Sequence, residues 1–138
     1  MYFFDKSQYQ KLLRKACNVA RQNSGMEICG LIIHTDFHLK FVQTRNVSRK
    51  AGCFIFSKFD VRKIVTATKI LNQEVVGTFH SHPTGLAVPG HSDIKYAVDN
   101  SLMFIFDCIS KKGKLWRIHK GQARNMKFDF VRLKRHLT

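Results

Sequence analysis

The run from Leu102 to Ile109 is almost entirely apolar, and it constrains the fold more than any other stretch of the sequence. A nearly all-apolar run of this length is typical of a central strand that is buried on both faces. A second strand is predicted from Val75 to His82, and a short helix beginning at Asp93 separates the two. A sheet with such a strand at its centre needs helices packed against it.

Two longer helices are predicted from capping patterns and from the spacing of apolar residues. Ser7, with a glutamine three residues later, begins the first, and Ser24-Gly25 ends it because glycine accepts the left-handed conformation of a helix end. Ser57 begins the second with another capping pattern. The buried stripe predicted for the second helix consists of Val61, Ile64, Val65, Thr68 and Leu71.

The remaining strands complete a mixed arrangement of helices and strands. Residues 28–34 and 39–47 are predicted to form a hairpin, 53–56 a short strand, and 115–119 a strand that pairs back on the central one. The tail from Met126 to Leu137 is interpreted as a strand followed by a basic helix. The order of these segments predicts an α/β fold, with a mixed β-sheet flanked by helices, in a single domain covering residues 1–138.

Two histidines and an aspartate have the spacing of a metal site. Because residues i and i+2 of a strand face the same side, His80 and His82 can direct two imidazoles at one point. Asp93 can add a carboxylate oxygen from the next element. Two imidazoles, one carboxylate and an open fourth position are typical of catalytic Zn²⁺, whereas Mg²⁺ and Ca²⁺ prefer more oxygen ligands.

Three blocks of sequence follow one another in the chain: Glu27-Ile28-Cys29-Gly30-Leu31, His80-Ser81-His82-Pro83 and Pro89-Gly90-His91-Ser92-Asp93. In order and spacing they resemble the JAMM motif of the JAB1/MPN/Mov34 (MPN+) metalloprotease family, which includes prokaryotic JAB-type domains. The resemblance implies a cytidine-deaminase-like α-β-α sandwich, the JAB/MPN fold. One position departs from the motif, because Gly90 stands where the family has a serine.

The resemblance also implies a role for each motif residue. Glu27 is the candidate general base, which takes a proton from water and hands it to the leaving amine, and it is not expected to bind the metal directly. His80, His82 and Asp93 are the candidate zinc ligands. Ser81, which faces the other side of the strand, is expected to make a structural hydrogen bond that fixes it.

The family serine donates a hydrogen bond to the oxyanion, and Gly90 has no side chain that can do so. Three possibilities for this missing donor are open. Ser92, two residues further on, is a candidate catalytic residue that supplies the missing hydroxyl. A backbone N–H near the start of the following helix is the second possibility. The third is reduced activity.

Each candidate also has an interpretation without chemistry. In that interpretation the histidines of the H-x-H pattern only form the polar end of a strand, without a metal. Glu27 is only an acidic residue in the loop that leads into a strand. Asp93 is then an acid at a helix N-terminus, where the helix dipole favours negative charge.

By resemblance, the function is that of a zinc-dependent metalloprotease or isopeptidase that cleaves after the C-terminal tail of ubiquitin or a ubiquitin-like, sulfur-carrier-like protein. Two alternatives come from other classes. A non-catalytic MPN-type scaffold is supported only by Gly90, since all three ligands are present. A nucleic-acid-associated protein is suggested by charge, but no recognisable reading motif accompanies it.

Charge and cysteine usage set the expected environment. The chain carries 24 basic and 9 acidic residues, a net charge of +15, and the excess is heaviest after Lys111. A basic C-terminal region of this kind favours weak, nonspecific binding of nucleic acid or acidic proteins. Four widely spaced cysteines, the absence of a secretory pattern and the absence of an apolar run of about 18 residues predict a reduced cytoplasmic protein that does not span a membrane.

Overall fold

The structure is a computed structural model that describes residues 1–22 and 25–131 of the chain. Within these ranges the chain forms three helices and eight strands, numbered in chain order. They are β1 (Tyr2–Asp5), α1 (Lys6–Gln22), β2 (Cys29–His34), β3 (Leu39–Thr44), α2 (Lys58–Ile70), β4 (Glu74–His82), α3 (His91–Lys95), β5 (Ser101–Asp107), β6 (Lys112–His119), β7 (Gln122–Met126) and β8 (Phe128–Val131). No helix in the described ranges combines the length and hydrophobicity that a membrane crossing requires.

The strands form one mixed sheet in the order β7-β6-β5-β4-β2-β3-β1-β8. β4 and β5 run parallel, with α3 between them in the chain, whereas β2 and β3 form an antiparallel hairpin. β5 is central, as its apolar sequence predicted, because it pairs with β4 on one side and β6 on the other. The predicted α/β class, a mixed sheet flanked by helices, is confirmed.

The two faces of the sheet carry different layers. Alternate residues of neighbouring strands face the same side, so Phe79 and Phe104 pack with Ile32 against Leu12 and Ala16 of α1. The opposite face carries His80 and a second apolar cluster, in which α3 takes part. That cluster contains Met103, Ile105, Ile118, Ala87, Ile94, Ala97, Trp116 and Ala123.

The sheet curls until its two ends meet. β7 pairs with β6 at one end of the strand order, β8 pairs with β1 at the other, and only Lys127 separates β7 from β8. The ring centroids of Phe128 in β8 and Phe104 in β5 are 5.2 Å apart, although the two strands are distant in the order. The α1 face therefore lies on the inside of the curl.

Some predicted boundaries are wrong, and each has a local reason. The first helix begins at Lys6, because the side chain of Asp5 accepts the amide of Ser7 and caps the helix two residues earlier than Ser7 would. Ser57 caps α2 as predicted, accepting the amide of Asp60 at 3.2 Å. Leu71 is not buried but 60% exposed, because α2 ends at Ile70.

Three further segments differ from their prediction or lie beyond the described residues. Residues 53–56 do not form a regular strand; the segment contributes one isolated bridge between Asn46 and Phe56. In the tail, β7 and β8 replace the single predicted strand. The predicted basic helix of the tail and the helix end at Ser24 lie outside the described residues.

Candidate metal centre

His80 and His82 end β4 on the side of the sheet away from α1, and their rings converge. Their Nε2 atoms are 3.0 Å apart. Asp93 Oδ2 lies 3.3 Å from Nε2 of His80 and 3.4 Å from Nε2 of His82. The first turn of α3, which follows β4 in the chain, brings Asp93 to this point. The three predicted ligands therefore meet at one place.

The spacing of these three atoms fits a tetrahedral metal ion. Zn–N and Zn–O bonds of about 2.0–2.1 Å at tetrahedral angles separate neighbouring ligand atoms by roughly 3.3 Å. The observed distances of 3.0, 3.3 and 3.4 Å match that separation. The donor set of two imidazole nitrogens and one carboxylate oxygen also suits zinc, so the residues present fit the ion.

The two histidine rings are held in different ways. Nδ1 of His82 lies 2.7 Å from the carbonyl oxygen of Leu86, so Nδ1 carries the proton and Nε2 presents a lone pair to the centre. His80 is fully buried and stacks on Phe54, with ring centroids 4.5 Å apart. Among the described residues, Nδ1 of His80 has no hydrogen-bond partner.

The electrostatics of the centre favour neutral His80 beside ionised Asp93. Burial lowers the pKa of His80 and outweighs the pull of Asp93. Burial also lowers the pKa of His82. Its contacts with Asp93 and the Leu86 carbonyl raise this pKa by more than burial lowers it, so the net shift is upward. Burial would raise the pKa of Asp93, yet hydrogen bonds to both histidines and to the Gly90 amide hold it well below its usual range.

Glu27 directly precedes Ile28 and β2, and it is buried at the edge of this centre. Its carboxylate lies within 4.8 Å of the donor atoms of His80 and His82. Burial raises the pKa of Glu27 to about 7, Asp93 adds to the shift, and His82 opposes it. A carboxyl group with this pKa can accept and release a proton near neutral pH.

Ser81 ties the strand that carries the histidines to the segment that carries Glu27. Its side-chain oxygen accepts the amide of Ile28 at 2.9 Å, and its own amide donates to the Ile28 carbonyl at 3.1 Å. The contact of the Ser81 hydroxyl is the structural hydrogen bond that was expected of this residue.

The loop after β4 places Gly90 and Ser92 next to the centre. Gly90 is the N-cap of α3, and its amide donates to Asp93 Oδ2 at 2.8 Å. A Cβ atom added at Gly90 would meet nothing closer than that oxygen at 3.5 Å, so the position accepts a side chain. Ser92 is exposed and lines the same groove as Glu27, His82 and Asp93.

An open groove of about 1490 Å³ passes the candidate centre. Its walls are largely apolar, and they include side chains from the loop after β3 and from α3 and the residues after it. The large hydrophobic side chains that are exposed in the groove are Val47, Ile55, Tyr96 and Val98. A groove of this form has room for an extended polypeptide beside the ligands.

Three residues of the centre have no signal in the motif. Phe54 stacks on His80, the Leu86 carbonyl orients His82, and Asn46 hydrogen-bonds to the backbone of Glu27. A backbone carbonyl carries no sequence signature, and Phe54 is one of 12 phenylalanines. Asn46 acts on a residue 19 positions away, which local pattern reading does not detect.

Comparison with known proteins gives a family and several similar folds. The family model for prokaryotic homologs of the JAB domain matches residues 9–119. Protein DSY2949 from Desulfitobacterium hafniense is 20% identical, with a TM-score of 0.79 and coverage of 99% of this chain and 97% of that one. No curated protein matches the chain significantly.

Two further structures share the fold at lower similarity. AF2198, a JAB1/MPN domain protein from Archaeoglobus fulgidus, is 15% identical with a TM-score of 0.54, covering 96% of this chain and 98% of that one. A structure described as JAMM, a metalloprotease-like zinc site in the proteasome and signalosome, is 15% identical with a TM-score of 0.52, covering 96% and 99%.

Proposed function

The chain belongs to the family of prokaryotic homologs of the JAB domain, and from that premise we propose that it is a zinc-dependent peptidase or isopeptidase. The observation that carries the proposal is the convergence of His80 Nε2, His82 Nε2 and Asp93 Oδ2 within 3.0–3.4 Å of one another. Glu27 stands beside them as a buried carboxyl. Three ligands and a neighbouring acid are the donor set of a catalytic site rather than of a closed structural one.

His80, His82 and Asp93 would hold the ion. When bound, a zinc ion there would supply Lewis acidity toward the scissile carbonyl and would lower the pKa of water to about 7. Glu27 then accepts the proton of the attacking water and passes it to the leaving amine. Burial raises the pKa of Glu27 in the metal-free centre, and a raised carboxyl pKa favours the acceptance and release of a proton near neutral pH.

A hydrogen-bond donor is needed where negative charge develops on the carbonyl oxygen. The Gly90 amide already donates to Asp93 Oδ2, so it is not free for this task. Ser92 is exposed to the groove and belongs to the same helical turn as Asp93. We therefore assign the donor role to the Ser92 hydroxyl.

The proposed substrate is a ubiquitin-like protein, cleaved after its C-terminal tail. The open groove beside the ligands has room for an extended chain, and its apolar walls would contact apolar side chains of the tail. The solved structure described as a metalloprotease-like zinc site shares this fold and motivates the reaction class.

The test combines metal analysis with cleavage of a ubiquitin-like fusion. Purified protein is expected to bind about one Zn²⁺ per chain, and His80→Ala and Asp93→Ala are expected to lose it. His119→Ala is the matched control, because His119 is exposed in β6. Zinc binding without cleavage of any ubiquitin-like fusion would favour the non-catalytic scaffold, and absence of zinc binding would reject the proposal.

A further inference from the structure

We propose that Asn46 is a positioning residue for Glu27, holding the Glu27–Ile28 peptide group in one orientation beside the ligand histidines. The catalytic part of this proposal rests on the proposed function. The structural part does not, because it concerns hydrogen bonds that exist without metal or substrate.

The peptide group between Glu27 and Ile28 is held at both ends by side chains. Asn46 Nδ2 donates to the Glu27 carbonyl at 2.9 Å, and Ser81 Oγ accepts the Ile28 amide at 2.9 Å. A peptide group is planar, so fixing its oxygen and its N–H together fixes the plane. The Cα of Glu27 belongs to that plane, and the direction of the carboxyl side chain depends on it.

Asn46 uses the whole hydrogen-bonding capacity of its carboxamide. Nδ2 donates to the carbonyls of Glu27 and Cys53 at 2.9 and 3.2 Å, and Oδ1 accepts the amides of Ser48 and Ile55 at 2.9 and 3.0 Å. Two carbonyl partners and two amide partners define which end of the carboxamide is oxygen. Three of these bonds organise residues 46–55 themselves, and the fourth leaves that loop to reach Glu27.

The same loop forms a wall of the centre. Phe54, which stacks on His80, lies between two of the residues that Asn46 holds, Cys53 and Ile55. Asn46 therefore couples the position of the base to the position of the aromatic ring against a ligand. Because displacing a catalytic group by about 1 Å costs up to roughly 10²-fold in rate, this coupling matters to the reaction.

The first arm of the test is Asn46→Asp in the zinc-loaded protein. Aspartate retains acceptors for Ser48 and Ile55 but cannot donate to Glu27 or Cys53. We expect kcat to fall by roughly 10²-fold, with KM and zinc affinity close to those of the parent. Asn46→Ala, which adds no charge, is also expected to lower kcat while KM and zinc affinity stay close to those of the parent. Asn125→Asp in exposed β7 is the charge-matched control.

The second arm measures amide hydrogen exchange in the metal-free protein. In Asn46→Ala, the Ile28 amide is expected to exchange about tenfold faster because its peptide group has lost one restraint. The Phe104 amide in buried β5 is expected to keep its rate. Equal acceleration at both amides would mean a general loss of stability and would overturn the proposal, as would unchanged exchange at Ile28.

The two arms separate failure of the proposal from failure of the function. If the parent cleaves no substrate, the proposed function falls, and the exchange rate of Ile28 still decides whether Asn46 restrains the peptide group. If the parent is active but Asn46→Ala keeps its kcat, the positioning role is overturned even though the function stands.

Discussion

Glu27 is a carboxyl group in a buried place, and its chemistry follows from that burial. We predict that Glu27→Gln keeps zinc content and melting temperature but lowers kcat by roughly 10²-fold or more, because glutamine cannot accept a proton. Elemental analysis and turnover of a ubiquitin-like fusion measure the two effects. Glu74→Gln is the control, since Glu74 is exposed at the start of β4. Loss of zinc in Glu27→Gln would show that Glu27 is a ligand.

Ser92 and Gly90 give a prediction about the hydrogen-bond donor to the oxyanion. Ser92→Ala is expected to lower turnover by roughly 10²-fold, the usual cost of one oxyanion donor, with zinc retained. Gly90→Ser in the same protein is expected to restore part of the loss, because a Cβ at Gly90 meets Asp93 Oδ2 only at 3.5 Å. Turnover of all four combinations at the two positions is the measurement. A silent Ser92→Ala would return the donor role to a backbone N–H.

The sequence predicts the candidate metal ligands of this centre better than it predicts the residues that hold the centre in place. His80, His82 and Asp93 were predicted from strand alternation and motif spacing, and the structure brings their atoms together. Asn46 could not be predicted, because its contact with Glu27 depends on how the loop after β3 folds back. The catalytic roles of Glu27 and Ser92 stay predictions until they are measured.

Among the elements, β2 depends on Gly30 for its close packing against β3 and β4. A Cβ at Gly30 would lie 2.3 Å from the Val42 carbonyl oxygen and 2.4 Å from the Phe79 ring, which is too close for any atom. We predict that Gly30→Ala destabilises the protein by about 1–3 kcal/mol or more through overpacking. Urea unfolding of the metal-free protein measures this, with Gly90→Ala as a glycine substitution whose Cβ makes only ordinary van der Waals contact. A change below about 0.5 kcal/mol would contradict the packing argument.

The start of α2 gives a prediction about pH. Hydrogen bonds from Arg45 lower the pKa of Asp60 from 3.8, so the ionised form is favoured in the folded protein. Its stabilising effect is present above pH 3.8 and is lost as pH falls through the lower folded pKa. Asp60→Asn is expected to lower Tm by up to about 3 °C at pH 7 and by less near pH 3. Asp36→Asn in an exposed turn is the control, and an equal effect at both pH values would contradict the assignment.

Element boundaries show where sequence patterns stop being informative. Ser7 and Asp5 are both good capping residues, and only the contact of Asp5 with the Ser7 amide decides between them. Leu71 has the helical spacing of a buried residue, yet α2 ends one position earlier and leaves it exposed. In both cases the pattern is right about the helix, but apolar spacing alone does not fix its first or last residue.

For the whole molecule, the net charge of +15 predicts a salt-dependent affinity for polyanions. We expect weak binding of a single-stranded oligonucleotide that declines steeply as salt rises. Charge reversal at Lys134 and Arg135 is expected to weaken binding without changing peptidase turnover, and reversal at Lys11 and Lys15 of α1 is the comparison. Fluorescence anisotropy at several salt concentrations measures this. Tight binding that persists at high salt would favour the nucleic-acid-associated alternative.

The meeting of β7 and β8 at Lys127 has a consequence for synthesis on the ribosome. β1 is made first, but its partner β8 is among the last described strands, and the same short segment also supplies β7 for β6. Until residues 122–131 emerge, the nascent chain exposes the backbone edges of β1 and β6 together. Unpaired edges are templates for pairing between chains. A pause in translation before Gln122 would therefore leave the edges of β1 and β6 unpaired and prone to aggregation. Synthesis of the ten-residue segment 122–131 would then protect both edges.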